Sequence, residues 1–313
     1  MKKIFLYTLS FFSLGAFAQQ LPEFSQYLNN DYLLNPAIAG TKNYAPATIS
    51  YRVNWMSFTN APTTQIGSIH GSFTKNVGLG LSVINAVAGP TSMTSMQFAY
   101  AYKIKLSEKM KLSFGAAPML IQQTLQKNKL TLDETNDNTF NRINGKTMIA
   151  DVNVGAHLYT DKWFVSLSAP QVLENQVRMG DALFTERLKR HYLLYSGYDF
   201  KVKEKYVLTP SVLVKAMQGG APMQVDVNFK ATFNQLFWVG ASYRGSSSQS
   251  FNESAIAFVG IMKFNFVFGY SYDYTFSSLH SYSGGSHEVF LTYRIGQKKA
   301  VTVPNESSAK EAQ

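Results

Sequence analysis

The chain has no cysteine among its 313 residues, which excludes disulfides, thiolate metal sites and a cysteine nucleophile; strand or helix pairing alone must hold the fold. Charge is scarce too, at 15% of residues. Beyond the first eighteen residues no stretch approaches the roughly eighteen consecutive apolar residues of a spanning helix. Any membrane residence must therefore be as strands, because in lipid only helices and closed barrels satisfy their own backbone groups. Catalytic constellations are also missing. The five histidines, His70, His157, His191, His280 and His287, include no HExxH and no pair at ligand spacing, so no metal centre is expected. Ser72-Phe73-Thr74-Lys75 spells a serine-lysine acylase motif but runs into a turn, where the two side chains cannot share a helix face. Gly78-Leu79-Gly80 lacks the third glycine and the following helix of a nucleotide fingerprint; glycines alternating in a strand mark close packing or curvature. His157 falls on a polar strand face, which suits a lumen lining and not a lipid-facing hydrolase. No enzyme and no cofactor are expected.

What the chain has is alternation. Met96, Phe98, Tyr100, Tyr102, Ile104 and Leu106 share one face of a stretch whose other face carries Gln97, Ala99, Ala101, Lys103 and Lys105. A two-residue period over ten residues puts one face in an apolar medium and the other in a polar one. The unit recurs at 46–56, 64–73, 76–86, 92–106, 109–120, 147–159, 162–170, 190–202, 205–216, 222–233, 236–244, 254–263, 265–276 and 286–296. Tight connections at Lys75-Asn76, Ser107-Glu108, Thr160-Asp161, Lys203-Glu204, Asn234-Gln235 and Lys263-Phe264 alternate with longer ones at 57–63, 87–91, 121–146, 171–189, 217–221, 245–253 and 277–285. The fold class is all-β: an antiparallel transmembrane β-barrel of about 14 strands, with short periplasmic turns and long extracellular loops.

The N-terminus sets the compartment. Lys2 and Lys3, the apolar Ile4 to Leu14 run and Ala16-Phe17-Ala18 form a secretory signal, so cleavage is expected after Ala18. Residues 1–18 are read as signal peptide, 19–45 as a periplasmic N-terminal segment packing against the barrel mouth, 46–296 as the outer-membrane barrel, and 297–313 as a charged, disordered tail. An even strand count leaves both termini periplasmic. The net charge of +10, or about +8 without Lys2 and Lys3, is scattered at turns and polar faces, which fits anionic lipid headgroups or an acidic partner and not nucleic acid. Along the inward register Gln224, Asp226, Asn228 and Lys230, and again Asn265, Ser271 and Asp273, require a polar filling. A cylinder of fourteen strands is too wide for side chains alone, so water, an inward loop or the N-terminal segment must occupy it.

The wording of the sequence adds a resemblance. Tyr32 to Gly40 (YLLNPAIAG), the run from Lys75 (KNVGLGLSVIN), Leu158 to Asn175 (LYTDKWFVSLSAPQVLEN), Arg190-His191-Tyr192, Lys215 to Asn228 (KAMQGGAPMQVDVN) and Tyr270 to Tyr293 resemble the PorP/SprF family, outer-membrane proteins of the Bacteroidota type IX secretion system with a gliding-motility branch. The charged tail after Gly296 departs from barrels that end at their last strand. The resemblance implies a non-enzymatic secretion component that binds or anchors a large cargo or adhesin carrying a type B C-terminal sorting domain. Its partners would be that cargo, other type IX components of the periplasm and outer membrane, and outer-membrane lipid. Cargo would dock on apolar side chains of polar loops, Phe58, Phe140, Leu183, Phe184, Leu279 and Tyr282. Tyr32, Leu33, Leu34, Asn35 and Pro36 of the N-terminal segment would meet the machinery. The alternative is an outer-membrane pore or small-molecule transporter, which the polar lumen suggests.

Overall fold

The computed structural model describes residues 21–130, 145–178, 185–202, 205–247 and 251–296. The first strands are β1 (Ala45–Val53), β2 (Thr63–Ser72), β3 (Val77–Ala88), β4 (Thr91–Lys105), β5 (Lys111–Leu125), β6 (Lys146–Tyr159) and β7 (Trp163–Ala169). A small separate hairpin, β8 (Gln176–Arg178) and β9 (Thr185–Arg187), follows. β10 (His191–Tyr198) and β11 (Phe200–Val202) form one interrupted barrel strand, and β12 (Tyr206–Met217), β13 (Gln224–Phe233), β14 (Phe237–Ser246), β15 (Ser254–Lys263), β16 (Phe266–Thr275) and β17 (Ser286–Ile295) complete the wall. Every neighbour is antiparallel, β10 pairs with both β7 and β12, and β1 pairs with β17 from Ala45↔Ile295 to Val53↔His287. The sheet is thus a closed barrel of fourteen strands with no free edge.

The alternation read from the sequence is the alternation of burial. Along β4 the residues Met96, Phe98, Tyr100, Tyr102 and Ile104 are exposed on the outside, whereas Gln97, Ala99, Ala101 and Lys103 are buried inside. β13 repeats it: Val227 and Phe229 face out, Gln224, Asp226 and Asn228 in. All fourteen expected strands are present. The largest boundary error is in β5, which runs to Leu125 instead of 120 and so takes several residues from the expected 121–146 loop.

Among the described residues of the 171–189 link, 171–178 and 185–189, there is no helix; they fold inward over the loop end of the lumen, where Gln171 is buried. Val177 of β8 and Leu188, just after β9, pack on Met119, Ile121 and Ile149, so the hairpin rests on the inner face of the loop-end extension of β5 and β6.

The expected placement of the N-terminal segment is corrected. Residues 21–44 do not sit against a mouth; they fill the lumen. Tyr27, Tyr32, Ala37 and Ile38 are among the most buried side chains of the described residues, and the segment touches strands all around the wall. The physical reason is the one that makes a wide barrel unstable when empty: inward polar groups need partners, and the segment supplies them. The first and last strands share the tight-turn end, since Ala45 and Ile295 pair there. The described N-terminal stretch starts at the other end. Leu21 and Pro22 lie with Pro170, Ala221 and Pro222 at the opposite, long-loop end, so the chain traverses the lumen before β1 begins.

Candidate functional site

The site is the plugged lumen and the loops above its upper end. The plug is three 3-10 turns, Gln26–Leu28, Asp31–Leu33 and Pro36–Ile38, short because each must fit between walls. Asn35 starts the third: its Oδ1 accepts from the Ala37 N–H at 2.9 Å, and Pro36 at the first helical position needs no donor partner.

Two kinds of contact hold the plug, one at each end. Towards the tight turns, Tyr32, Ile38 and Ala39 pack on Ala99, Ala101 and Ala117, inward positions of β4 and β5 whose small side chains leave room for the segment. The glycines of the 78–80 run have the same purpose. A Cβ on Gly80 would meet the Tyr32 ring at 2.7 Å, and one on Gly78 would run into the Ala39 carbonyl. The Gly40 carbonyl then accepts from Lys103 Nζ and Ser72 Oγ, each at 2.7 Å.

Towards the loops the contacts are ionic. Ser25 is clamped: its N–H donates to Glu288 Oε2 and its Oγ to Asp273 Oδ2, each at 2.7 Å, and Arg52 donates to Ser25 Oγ at 3.0 Å while pairing with Asp273 at 2.8 Å. Arg244 binds Asp226 (Nε to Oδ1, 3.0 Å) and also Glu23 of the plug. The Tyr27 hydroxyl lies 3.0 Å from Asp226 Oδ2 and 2.9 Å from Asn228 Oδ1. Arg52 and Arg244 are 2% and 1% exposed, so these charges have only one another. Charges taken out of water must be paired with good geometry, and here the plug completes the pairing. Sequence reading named Asp226, Asn228 and Asp273 as inward polar groups but missed Arg52, Arg244, Glu288 and Glu23. Opposite charges on inward positions of neighbouring strands, Arg52 beside Glu288 and Asp226 beside Arg244, were the available signal.

The residues expected to meet the machinery are therefore elsewhere. Tyr32, Leu34, Asn35 and Pro36 are buried in the lumen and Leu33 is half-buried there, so none offers a periplasmic surface. Of the cargo candidates, Phe58 and Tyr282 are exposed at the loop end, Tyr282 at 76%, and Leu279 is half-buried in the 3-10 turn Ser278–Ser281. Phe140, Leu183 and Phe184 lie outside the described residues. His157 is on the lumen register as expected, its ring stacked on Tyr159 at 4.9 Å. Among the described residues no three acidic, histidine or cysteine side chains are grouped to hold a metal ion.

A closed, internally plugged, antiparallel barrel with an apolar outer belt is an outer-membrane protein of the barrel class. Among solved structures its fold is similar to the deltaS2 mutant of the TodX monoaromatic hydrocarbon channel, at 9% identity, covering 87% of this chain and 95% of that one with a TM-score of 0.52. It is also aligned with the CymD monoaromatic hydrocarbon channel (10% identity, 86% and 93% covered, TM-score 0.49) and a Pseudomonas aeruginosa FadL homologue (9%, 83% and 92%, 0.47). No curated protein sequence matches. Residues 16–293 match the family of type IX secretion system membrane proteins, PorP/SprF, and the chain belongs to that family.

Proposed function

We propose that this membrane component of type IX secretion binds and anchors a large cargo or adhesin with a C-terminal sorting domain at the cell surface, for gliding motility, and does so without catalysis. The observation that supports this reading is the filled lumen. A barrel occluded by its own N-terminal segment along the strand length is poorly suited to conducting solutes, which weakens the pore alternative and leaves the loops as the working surface. Phe58, Leu279 and Tyr282, together with Phe140, Leu183 and Phe184, are the proposed cargo contacts; apolar side chains presented on polar loops are the usual anchors of an interface.

The test has two arms, one on cells and one on the purified protein. Replacing Phe58 and Tyr282 by Ser, or Leu183 and Phe184 by Ser, is expected to release the surface protein into the medium while the barrel stays folded and inserted. Purified wild-type protein in a planar bilayer is expected to show no steady conductance. Unchanged surface display in every loop variant would refute the anchoring reading, and wild-type conductance would restore the pore.

A further inference from the structure

A cavity of about 280 Å³ lies at the loop end of the lumen, between residues 21–27 of the plug and the inner faces of β3 to β6, β10, β12 and β13. Much of its wall is apolar, with Met93, Met119, Ile121, Leu193 and Met217 prominent.

Two buried polar atoms on this wall, Gln171 Oε1 and His191 Nδ1, have no hydrogen-bond partner among the described residues, and a half-buried carboxylate, Glu253, stands beside them on the same wall. Gln171 is 1% exposed, yet its Oε1 accepts no hydrogen bond. Its backbone is fixed by an N–H bond to Asn153 Oδ1 at 3.0 Å and held at φ 59°, an uncommon left-handed conformation for a glutamine. His191 is 7% exposed and its Nδ1 has no hydrogen-bond partner. The Glu253 carboxylate receives only the Gln224 amide, at 3.3 and 3.5 Å. The cations nearest to it are engaged elsewhere, Arg244 with Glu23 and Asp226, and Lys215 with Asp226 at 3.7 Å. Burial accordingly raises the Glu253 carboxyl above its ordinary range. Buried polar atoms without partners are costly, so a native cavity that keeps two of them beside a carboxylate with one donor is suited to an occupant that brings donors.

We propose that this cavity is a binding site for a cationic group on an aliphatic stem, a primary ammonium or guanidinium as carried by a lysine or arginine side chain or by a free alkyl amine. The stem lies along the methionine and leucine wall. The N–H groups satisfy Gln171 Oε1, His191 Nδ1 and Glu253, and bonds from a cation are the stronger kind. The proposal is independent of cargo anchoring, because it rests on the cavity chemistry and not on the outer loops.

The test uses the purified full-length barrel in detergent, titrated by calorimetry with agmatine, with Nα-acetylarginine amide, and with pentanol as a neutral stem of similar length. Saturable binding of at least one of the two cationic probes and none of pentanol is expected. Glu253→Gln and Gln171→Ala should each weaken that binding by about tenfold or more, with the unfolding temperature unchanged. Tighter binding of acetylarginine amide assigns the site to a polypeptide side chain, and tighter binding of agmatine to a free amine. No binding of either probe, or equal affinity in Glu253→Gln, overturns the proposal. So does binding that begins only when Gln19 and Gln20 are deleted, because the chain's own N-terminus is then the occupant.

Discussion

Asn35 Nδ2 lies 2.8 Å from Ser166 Oγ, joining the plug to β7 across 131 positions of sequence. The same amide nitrogen is 2.9 Å from the carbonyls of Ala156 and Leu167, and its Oδ1 caps the next turn. One side chain thus fastens the segment to two strands and starts its own local structure. Asn35→Ala leaves several of these groups buried without partners and is expected to destabilise the seated plug by about 1 to 3 kcal/mol. Protease sensitivity of residues 21–44 in the purified protein is the readout; a segment as protected as in the wild type would contradict it.

Gly115 is where the plug presses hardest on β5, since a Cβ there would collide with the backbone of Pro36 and Ala37. Gly115→Leu therefore cannot coexist with the seated segment. The barrel, which is held by its ladders, is expected to remain folded and to acquire a steady ion conductance in planar bilayers. A silent Gly115→Leu barrel would mean that something besides this segment occludes the lumen.

The Arg244 pairs are expected to be asymmetric in cost. Arg244→Ala leaves Asp226, itself 0% exposed, without its guanidinium, and removing one partner of a buried pair typically costs about 3 to 5 kcal/mol. Glu23→Gln removes a plug carboxylate whose side chain is 26% exposed and should cost clearly less. Urea unfolding followed by the heat-modifiable gel shift ranks the two, and a larger loss in Glu23→Gln would show that the plug, and not the wall, carries the balance of charge.

On the outer face, Phe268 is 48% exposed to lipid, and Phe268→Arg is expected to cost about 2 to 4 kcal/mol. Alternation alone suggests that charging Gly269 or Ser271, on the inward register, should be cheaper. The structure revises that expectation: Ser271 is fully buried, and a Cβ on Gly269 would meet Phe290 and, at 2.9 Å, Trp238. Ser271→Arg should therefore destabilise the barrel about as much as Phe268→Arg, whereas Ser271→Ala should be nearly neutral. Unfolding midpoints of the three variants decide it; a tolerated Ser271→Arg would indicate a wet interior.

Orientation is checked on intact cells. Tags inserted at 126–130 or within 276–285 are expected to be accessible, and tags at Ser107-Glu108 or Asn234-Gln235 hidden, because the long connections share one end and the tight turns the other. Reversed accessibility would invert the barrel in the membrane.

The sequence by itself determined the wall. A period of two is a local property, visible wherever one face of a strand meets lipid, so Met96 to Ile104, the fourteen strands and the long-loop and tight-turn asymmetry could all be read without coordinates. It also showed that the lumen needed filling, and the glycine run at 78–80 announced close packing. Which element fills the lumen was decided only by the tertiary structure. Residues 21–44 carry no period: Tyr27, Asn35 and Ser25 become a plug only because Asp226, Ser166 and Asp273, between 131 and 248 positions later in the chain, converge on them once the barrel closes. Closure likewise brings Glu23 to Arg244 and gathers Gln171, His191 and Glu253 around one cavity, relationships that no local pattern encodes because each joins separate strands through the interior.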